Sequence, residues 1–163
     1  MTDNPVIPDV MKVVPALRIY ARSLCRNAAD ADDLVQDTLV KALANIHRFV
    51  PGTNLRAWLF TIMRNTFLTR IKKQKREPTG DADCVSGLRS VEPTQEWTVF
   101  GRQLMAAVDR LPAQYREMII LVVMLGESYQ DAAELCGCAV GTVKSRVNRA
   151  RGLLIEDLGA DAL

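Results

Sequence analysis

The stretch EPTGDADCVSGLRSVEPTQ (Glu77–Gln95) interrupts the chain near its middle and constrains the fold more than any other feature. It holds two prolines, two glycines and little hydrophobic periodicity, the composition of a flexible acidic linker. Whatever folds must therefore fold on either side of it. The 163 residues allow one ordinary domain or two small ones. The linker decides for two: an N-terminal module near 8–76 and a C-terminal module near 96–159. Neither side shows strand alternation or a hairpin dipeptide, so the expected fold is all-α, two small helical modules.

In the N-terminal module the pattern predicts a first helix near Asp9–Cys25, with Pro15 kinking it or delimiting its first turn. Asp30 suits the N-cap of a second helix near Ala31–Arg48. Ala31, Val35, Leu39, Ala42, Leu43 and Ile46 share one face of it, the expected core face. Asp33, Gln36, Asp37 and Val40 lie opposite, at spacings that bring their side chains together. After the loop VPGTN (Val50–Asn54), Asn54 can cap a third helix near Leu55–Lys75. Its apolar stripe is Leu55, Trp58, Leu59 and Ile62. Trp58 is therefore expected in the core, whereas Phe60 and Phe67 lie off the stripe and stay open.

The C-terminal module is expected to start with a helix near Gln95–Arg110. Leu111-Pro112 ends it and opens an apolar helix near Ala113–Leu125, stopped by Gly126. Ser128 and Asp131 resemble a capping box for a short helix Tyr129–Cys136. Gly137-Cys138 makes a turn, and a final helix runs from about Val140 to Leu158. A short helix, a Gly turn and a longer helix form a helix-turn-helix pattern, with Ala132, Ala133 and Leu135 facing inward on the first. Val143, Val147, Ala150 and Leu154 are spaced for the core face of the last helix. Lys144, Ser145, Arg146, Asn148 and Arg149 are left able to project outward. Arg and Asn read base edges in a major groove, while Lys, Ser and backbone N–H groups hold phosphates. GCAVGTVKSRVNRAR (Gly137–Arg151) contains no acidic residue, whereas an ordinary exposed helix mixes signs for pairing.

The formal charge of +2 conceals this polarity. Four aspartates and no basic residue lie between Asp30 and Asp37. Six basic residues and no acidic one lie from Arg64 to Arg76, and the acidic linker then precedes the basic C-terminal helix. Alternating blocks of this kind imply separate surfaces for separate partners. No apolar run is long enough to span a bilayer. The start MTDNPVIPDV lacks the features of a signal peptide, so the expected location is cytoplasmic. Cys25, Cys84, Cys136 and Cys138 do not form a paired zinc framework and read as free thiols. No nucleophile arrangement, phosphate loop or metal-ligand cluster is present, so neither catalysis nor a cofactor or metal is expected.

SYQDAAELCGCAVGTVKSRVNRARGLL closely resembles the C-terminal DNA-binding region of extracytoplasmic-function sigma factors. ADDLVQDTLVKALANIHRFVPGTNLRAWLFTIMRNTF resembles their N-terminal region, and PGTNLRAWLFTIMRNTF is most similar to the general-stress group. The two matches stand in the family's order. The resemblance implies a sigma factor, not an enzyme, that binds core RNA polymerase and promoter DNA and is controlled by an anti-sigma factor. It implies that Asp33, Gln36 and Asp37 dock on the polymerase clamp. A base flipped from the −10 element would be captured near Val50–Asn54 and the third helix, with Asn54 and Asn65 contributing. Arg64, Arg70, Lys72 and Lys73 would hold the single strand. Thr142, Lys144, Ser145, Arg146, Asn148 and Arg149 would contact the −35 duplex. A sigma-like decoy for an anti-sigma factor and a helix-turn-helix repressor are the rival readings.

Overall fold

The computed structural model describes residues 5–76 and 99–159, and all regular structure among them is helical. The acidic linker, with the expected start of the following helix at Gln95, lies outside the described residues. The chain divides into two compact units, Met1–Leu88 and Arg89–Leu163.

The first unit is a three-helix bundle of α1 (Ile7–Leu24), α2 (Ala28–Ala44) and α3 (Leu55–Arg76), in which each helix packs against the other two. Leu17, Tyr20 and Ala21 of α1, Ala31, Leu34 and Val35 of α2, and Leu59, Phe60 and Met63 of α3 are all buried in it. The Tyr20 and Phe60 rings lie 4.9 Å apart, tilted at 41°. Three buried hydroxyls are satisfied within their own helices: Ser23 donates to the Tyr20 carbonyl, Thr38 to Leu34 and Thr66 to Ile62, at 2.6, 2.7 and 2.8 Å. Each occupies a core position without an unpaired polar group.

Several sequence expectations change here. Pro15 does not delimit the first turn of α1, which begins at Ile7 and runs through it. Pro15 is exposed, so the carbonyl that loses its partner belongs to the exposed Met11 and water can satisfy it. The N-cap of α2 is Asn27, not Asp30. The Asn27 side chain accepts from the Asp30 N–H at 2.8 Å and donates to the Asp30 carboxylate at 2.7 Å, a reciprocal cap one turn earlier than expected. The helix ends at Ala44, and Ile46–Arg48 forms a separate 3-10 turn. The buried face of α2 is Ala31, Leu34, Val35, Thr38 and Ala42. Leu43 is exposed because it lies about 120° from the centre of that face, at about 100° per residue. On α3 the core is Leu59, Phe60, Met63 and Thr66. Phe60 is therefore core, whereas Trp58 is only half-buried.

In the second unit α7 (Val140–Leu158) packs against α4 (Val99–Arg110), α5 (Ala113–Ile119) and α6 (Tyr129–Cys136). Val143, Val147, Ala150 and Leu154 are its buried stripe, as the spacing predicts. The Arg110 guanidinium on α4 holds the Asp157 carboxylate on α7 through Nε at 3.0 Å and Nη2 at 2.6 Å. The expected helix Ala113–Leu125 is not uniform. It passes at Ile120–Met124 into a π turn, closed by a 2.9 Å bond from Leu125 N–H to the Ile120 carbonyl. The wider turn carries Val123 and Met124 to the surface, and Gly126 stops the segment at φ +70°.

Candidate nucleic-acid interfaces

The α6–turn–α7 segment is specified locally. Ser128 Oγ accepts from the Asp131 N–H at 2.9 Å and donates to the Asp131 carboxylate at 2.7 Å, fixing the start of α6. Gly137 adopts the left-handed conformation at φ 64°, and the Cys138 N–H bonds back to the Ala133 carbonyl at 3.0 Å. This is the C-terminal lock that only a residue tolerant of positive φ supplies cheaply. Ala132 and Ala133 are buried and Leu135 is half-buried, which seats the short helix on α7. We predict that Ser128→Ala costs about 1 kcal/mol. The thermal midpoint of the C-terminal unit should then fall by roughly 4–8 °C, and calorimetry checks this.

With its apolar stripe buried, α7 exposes Lys144, Ser145, Asn148 and Arg149, while Thr142 and Arg146 are half-buried at the stripe's edges. Ser145 donates to the Thr142 carbonyl at 3.1 Å, so its remaining lone pairs are those open to a ligand. The Lys144 ammonium lies 5.9 Å from the centre of the Tyr129 ring, a cation–π contact from α6 that positions it. The first three turns of α7 thus present cations, an amide and hydroxyls on one accessible side. Such a surface can make phosphate contacts and base-edge contacts together.

In the N-terminal unit α2 and α3 enclose an open groove of about 450 Å³. Lys41, Asn45 and Arg48 line one side, and Trp58, Ile62, Asn65, Thr66 and Thr69 the other. The Phe49 ring lies 5.3 Å from Trp58 and backs the indole from the 3-10 turn side. Lys41 Nζ donates to Thr66 Oγ1 at 3.2 Å, tying the walls together. An indole, two amides and two cations line it, groups capable of stacking, base-edge hydrogen bonds and phosphate pairing.

Of the residues expected here, Asn65 lines the groove. Asn54 accepts from the Ala57 N–H at 3.1 Å and so serves as the cap of α3. At about 100° per residue, Lys72 and Lys73 fall within about 65° of the groove's centre line along α3, but Arg70 lies about 95° and Arg64 about 145° away. Lys41, Asn45 and Arg48 come from the last turn of α2, its C-cap and the 3-10 turn, and only the packing of α3 against them makes them one wall of a groove. The Asp33, Gln36 and Asp37 face is exposed, as expected. Arg70 reaches that face instead of the groove and pairs with the Asp37 carboxylate.

Among the described residues Cys25, Cys136 and Cys138 are half-buried and form no disulfide, and Cys84 lies outside the described residues. Among the described residues no group of three His, Cys, Asp or Glu side chains could hold a metal ion. No helix among them is long and apolar enough to cross a membrane.

The first unit is a helical bundle with an open groove between α2 and α3, and the second carries a helix-turn-helix with a basic exposed side on α7. Comparison with known proteins specifies the class. The Sigma-70 region 2 family matches residues 10–77, and the Sigma-70 region 4 family matches residues 101–154. The sigma factor EcfG of Rhodopseudomonas palustris is 50% identical over 162 residues, covering 94% of this chain and 89% of that protein. The solved sigma factor RpoE of Bartonella quintana, in complex with the anti-sigma factor NepR, is 44% identical. It superposes with a TM-score of 0.82, covering 94% of this chain and 96% of that one. CnrH, solved with the cytosolic domain of CnrY, is 29% identical with a TM-score of 0.65, over 94% and 87%. The chain belongs to the extracytoplasmic-function sigma factors of the sigma-70 family. Its function is that of a transcription initiation factor, which directs core RNA polymerase to promoters.

Proposed function

We propose that the work of promoter selection is divided among three surfaces of this chain. Asp33, Gln36 and Asp37 on α2 dock on a cationic helical element of core polymerase, where carboxylates pair well with arginine. The groove between α2 and α3 receives a nucleotide of the opened −10 element. Asn65 addresses the base edge, Trp58 its face, and Lys41, Arg48, Lys72 and Lys73 the backbone. Thr142, Lys144, Ser145, Arg146, Asn148 and Arg149 contact the −35 duplex from the start of α7. The polymerase supplies the chemistry and this chain supplies the address, acting in the cytoplasm.

The observation that carries the −10 part is the groove itself, because it places Asn65 beside an indole and two cations. The test uses holoenzyme reconstituted with full-length chain and a forked promoter carrying 2-aminopurine along the −10 non-template strand. Asn65→Ala and Lys41→Ala are each expected to weaken fork binding about tenfold, the scale of one base-edge or charged contact. They should leave affinity for core polymerase unchanged. Unaltered fork binding and fluorescence in both variants would remove the groove from promoter recognition.

Control by an anti-sigma factor is supported by similarity to RpoE, which was solved bound to NepR, and a role in stress response by the resemblance of PGTNLRAWLFTIMRNTF to the general-stress group. A repressor reading has less support, because it leaves the acidic α2 face and the groove without a task.

A further inference from the structure

The fold turns Arg70 onto the acidic face of α2, away from the groove. Arg70 Nη2 forms an ion pair with Asp37 Oδ2 and lies 3.3 Å from the Asp33 carbonyl oxygen. The Arg70 side chain is 32% exposed and that of Asp37 53%, so the pair sits at the surface and a partner can reach it. Asp37 belongs to the surface proposed above to dock on polymerase, and this inference rests on that reading. A carboxylate that already carries a guanidinium is a weaker acceptor for an incoming cation. The newcomer must displace Arg70 or approach against its charge.

We propose that Arg70 is an internal counter-ion that competes with the polymerase for Asp37, so that docking requires the Asp37–Arg70 pair to open. Asp33 and Gln36 flank the pair and remain exposed. They give the partner a foothold while Asp37 is still occupied. An isolated cationic helix lacking the complementary contacts gains little from Asp37, because Arg70 already neutralises it. The basic run Arg64–Arg76 is then divided in function: Lys72 and Lys73 stand in line with the groove, and Arg70 tunes the docking face.

The affinity of the full chain for core polymerase, measured by fluorescence titration, tests this. At low ionic strength Arg70→Gln is expected to bind core about two- to fivefold more tightly than wild type, the scale of one exposed ion pair. The gain should vanish at about 0.5 M salt, where the Debye length is only about 4 Å. It should also vanish in the Asp37→Asn background, and Arg70→Lys should keep wild-type affinity. Unchanged or weakened binding by Arg70→Gln would overturn the proposal, as would equal tightening with Asp37→Asn present. Far-UV circular dichroism melts establish that each variant is folded. If substituting Asp33, Gln36 and Asp37 together leaves core affinity intact, the docking reading fails and takes this inference with it. If that combination weakens binding but Arg70→Gln does not tighten it, docking stands and only the competition is wrong.

Discussion

Holoenzyme carrying Arg146→Ala and Arg149→Ala together is expected to initiate about a hundredfold less at a promoter that depends on its −35 element. Each arginine that contacts a base edge contributes about 1–3 kcal/mol of discrimination, and about 3 kcal/mol for the pair corresponds to roughly two decades. The loss is expected in binding and not in folding. Arg149 is exposed and Arg146 is half-buried at the edge of the stripe, while Val143, Val147, Ala150 and Leu154 hold the helix in place. The thermal midpoint should therefore move little. Lys144→Ala should behave differently, weakening all duplex sequences alike and lowering the salt slope by about 0.9, as loss of one phosphate contact does. Arg151→Ala is the positional control. It is exposed but lies beyond the first turns of α7, the part of a recognition helix that enters a major groove. Run-off transcription and duplex binding across a salt series check the three variants together.

Phe60→Ala is expected to unfold the N-terminal unit near physiological temperature. Phe60 is buried and meets the Tyr20 ring at 4.9 Å, so its ring joins α3 to α1 at the centre of the bundle. Truncating a buried phenylalanine costs about 3–5 kcal/mol. A unit of this size holds only about 4–10 kcal/mol in all. The Arg56 guanidinium, 5.3 Å from the same ring, loses its aromatic partner as well. Phe60→Leu keeps most of the volume and should cost much less. Trp58→Ala, by contrast, should leave the bundle folded, because Trp58 is half-buried and faces the groove. Thermal melts of the three variants, followed by circular dichroism, separate the core residue from the groove residue.

This contrast shows where the sequence was legible. The second unit reads nearly residue by residue because its signals are local. Ser128 and Asp131 announce a helix start, Gly137 a left-handed stop, and Val143, Val147, Ala150 and Leu154 a single narrow stripe. The absence of acidic residues from Gly137–Arg151 points the same way, to a surface for an anionic partner. The first unit is harder because each helix touches two neighbours. The buried face is then wide, and it includes Thr38 and Thr66, polar residues whose hydroxyls are absorbed by their own helices. A stripe drawn through apolar residues alone passes over them and rotates toward Leu43 on α2 and Trp58 on α3. Hydrophobicity favoured a core position for Trp58. The Phe49 ring backing it comes from a 3-10 turn that the pattern had merged into α2. The π turn at Ile120–Met124 left no mark, since a uniformly apolar run fits an α-helix equally well.

The candidate sites divide in the same way. Lys144, Ser145, Asn148 and Arg149 are exposed as the helical register demands, and the acidic face of α2 follows from spacing alone. The groove and the Asp37–Arg70 pair join residues far apart in the chain, so no periodicity could disclose them. Their partnership depends on how α2 and α3 rotate against each other, which the core residues set.

On this reading the chain selects promoters for core RNA polymerase through two separate DNA surfaces. Run-off transcription with purified core polymerase, full-length chain and a promoter library varied independently at the −10 and −35 elements tests it most directly. Specific initiation that requires both elements is expected. Substitutions at Asn65 should relax selection at −10 only, and substitutions at Arg149 should relax it at −35 only. Duplex binding without initiation, or initiation indifferent to both substitutions, would contradict it.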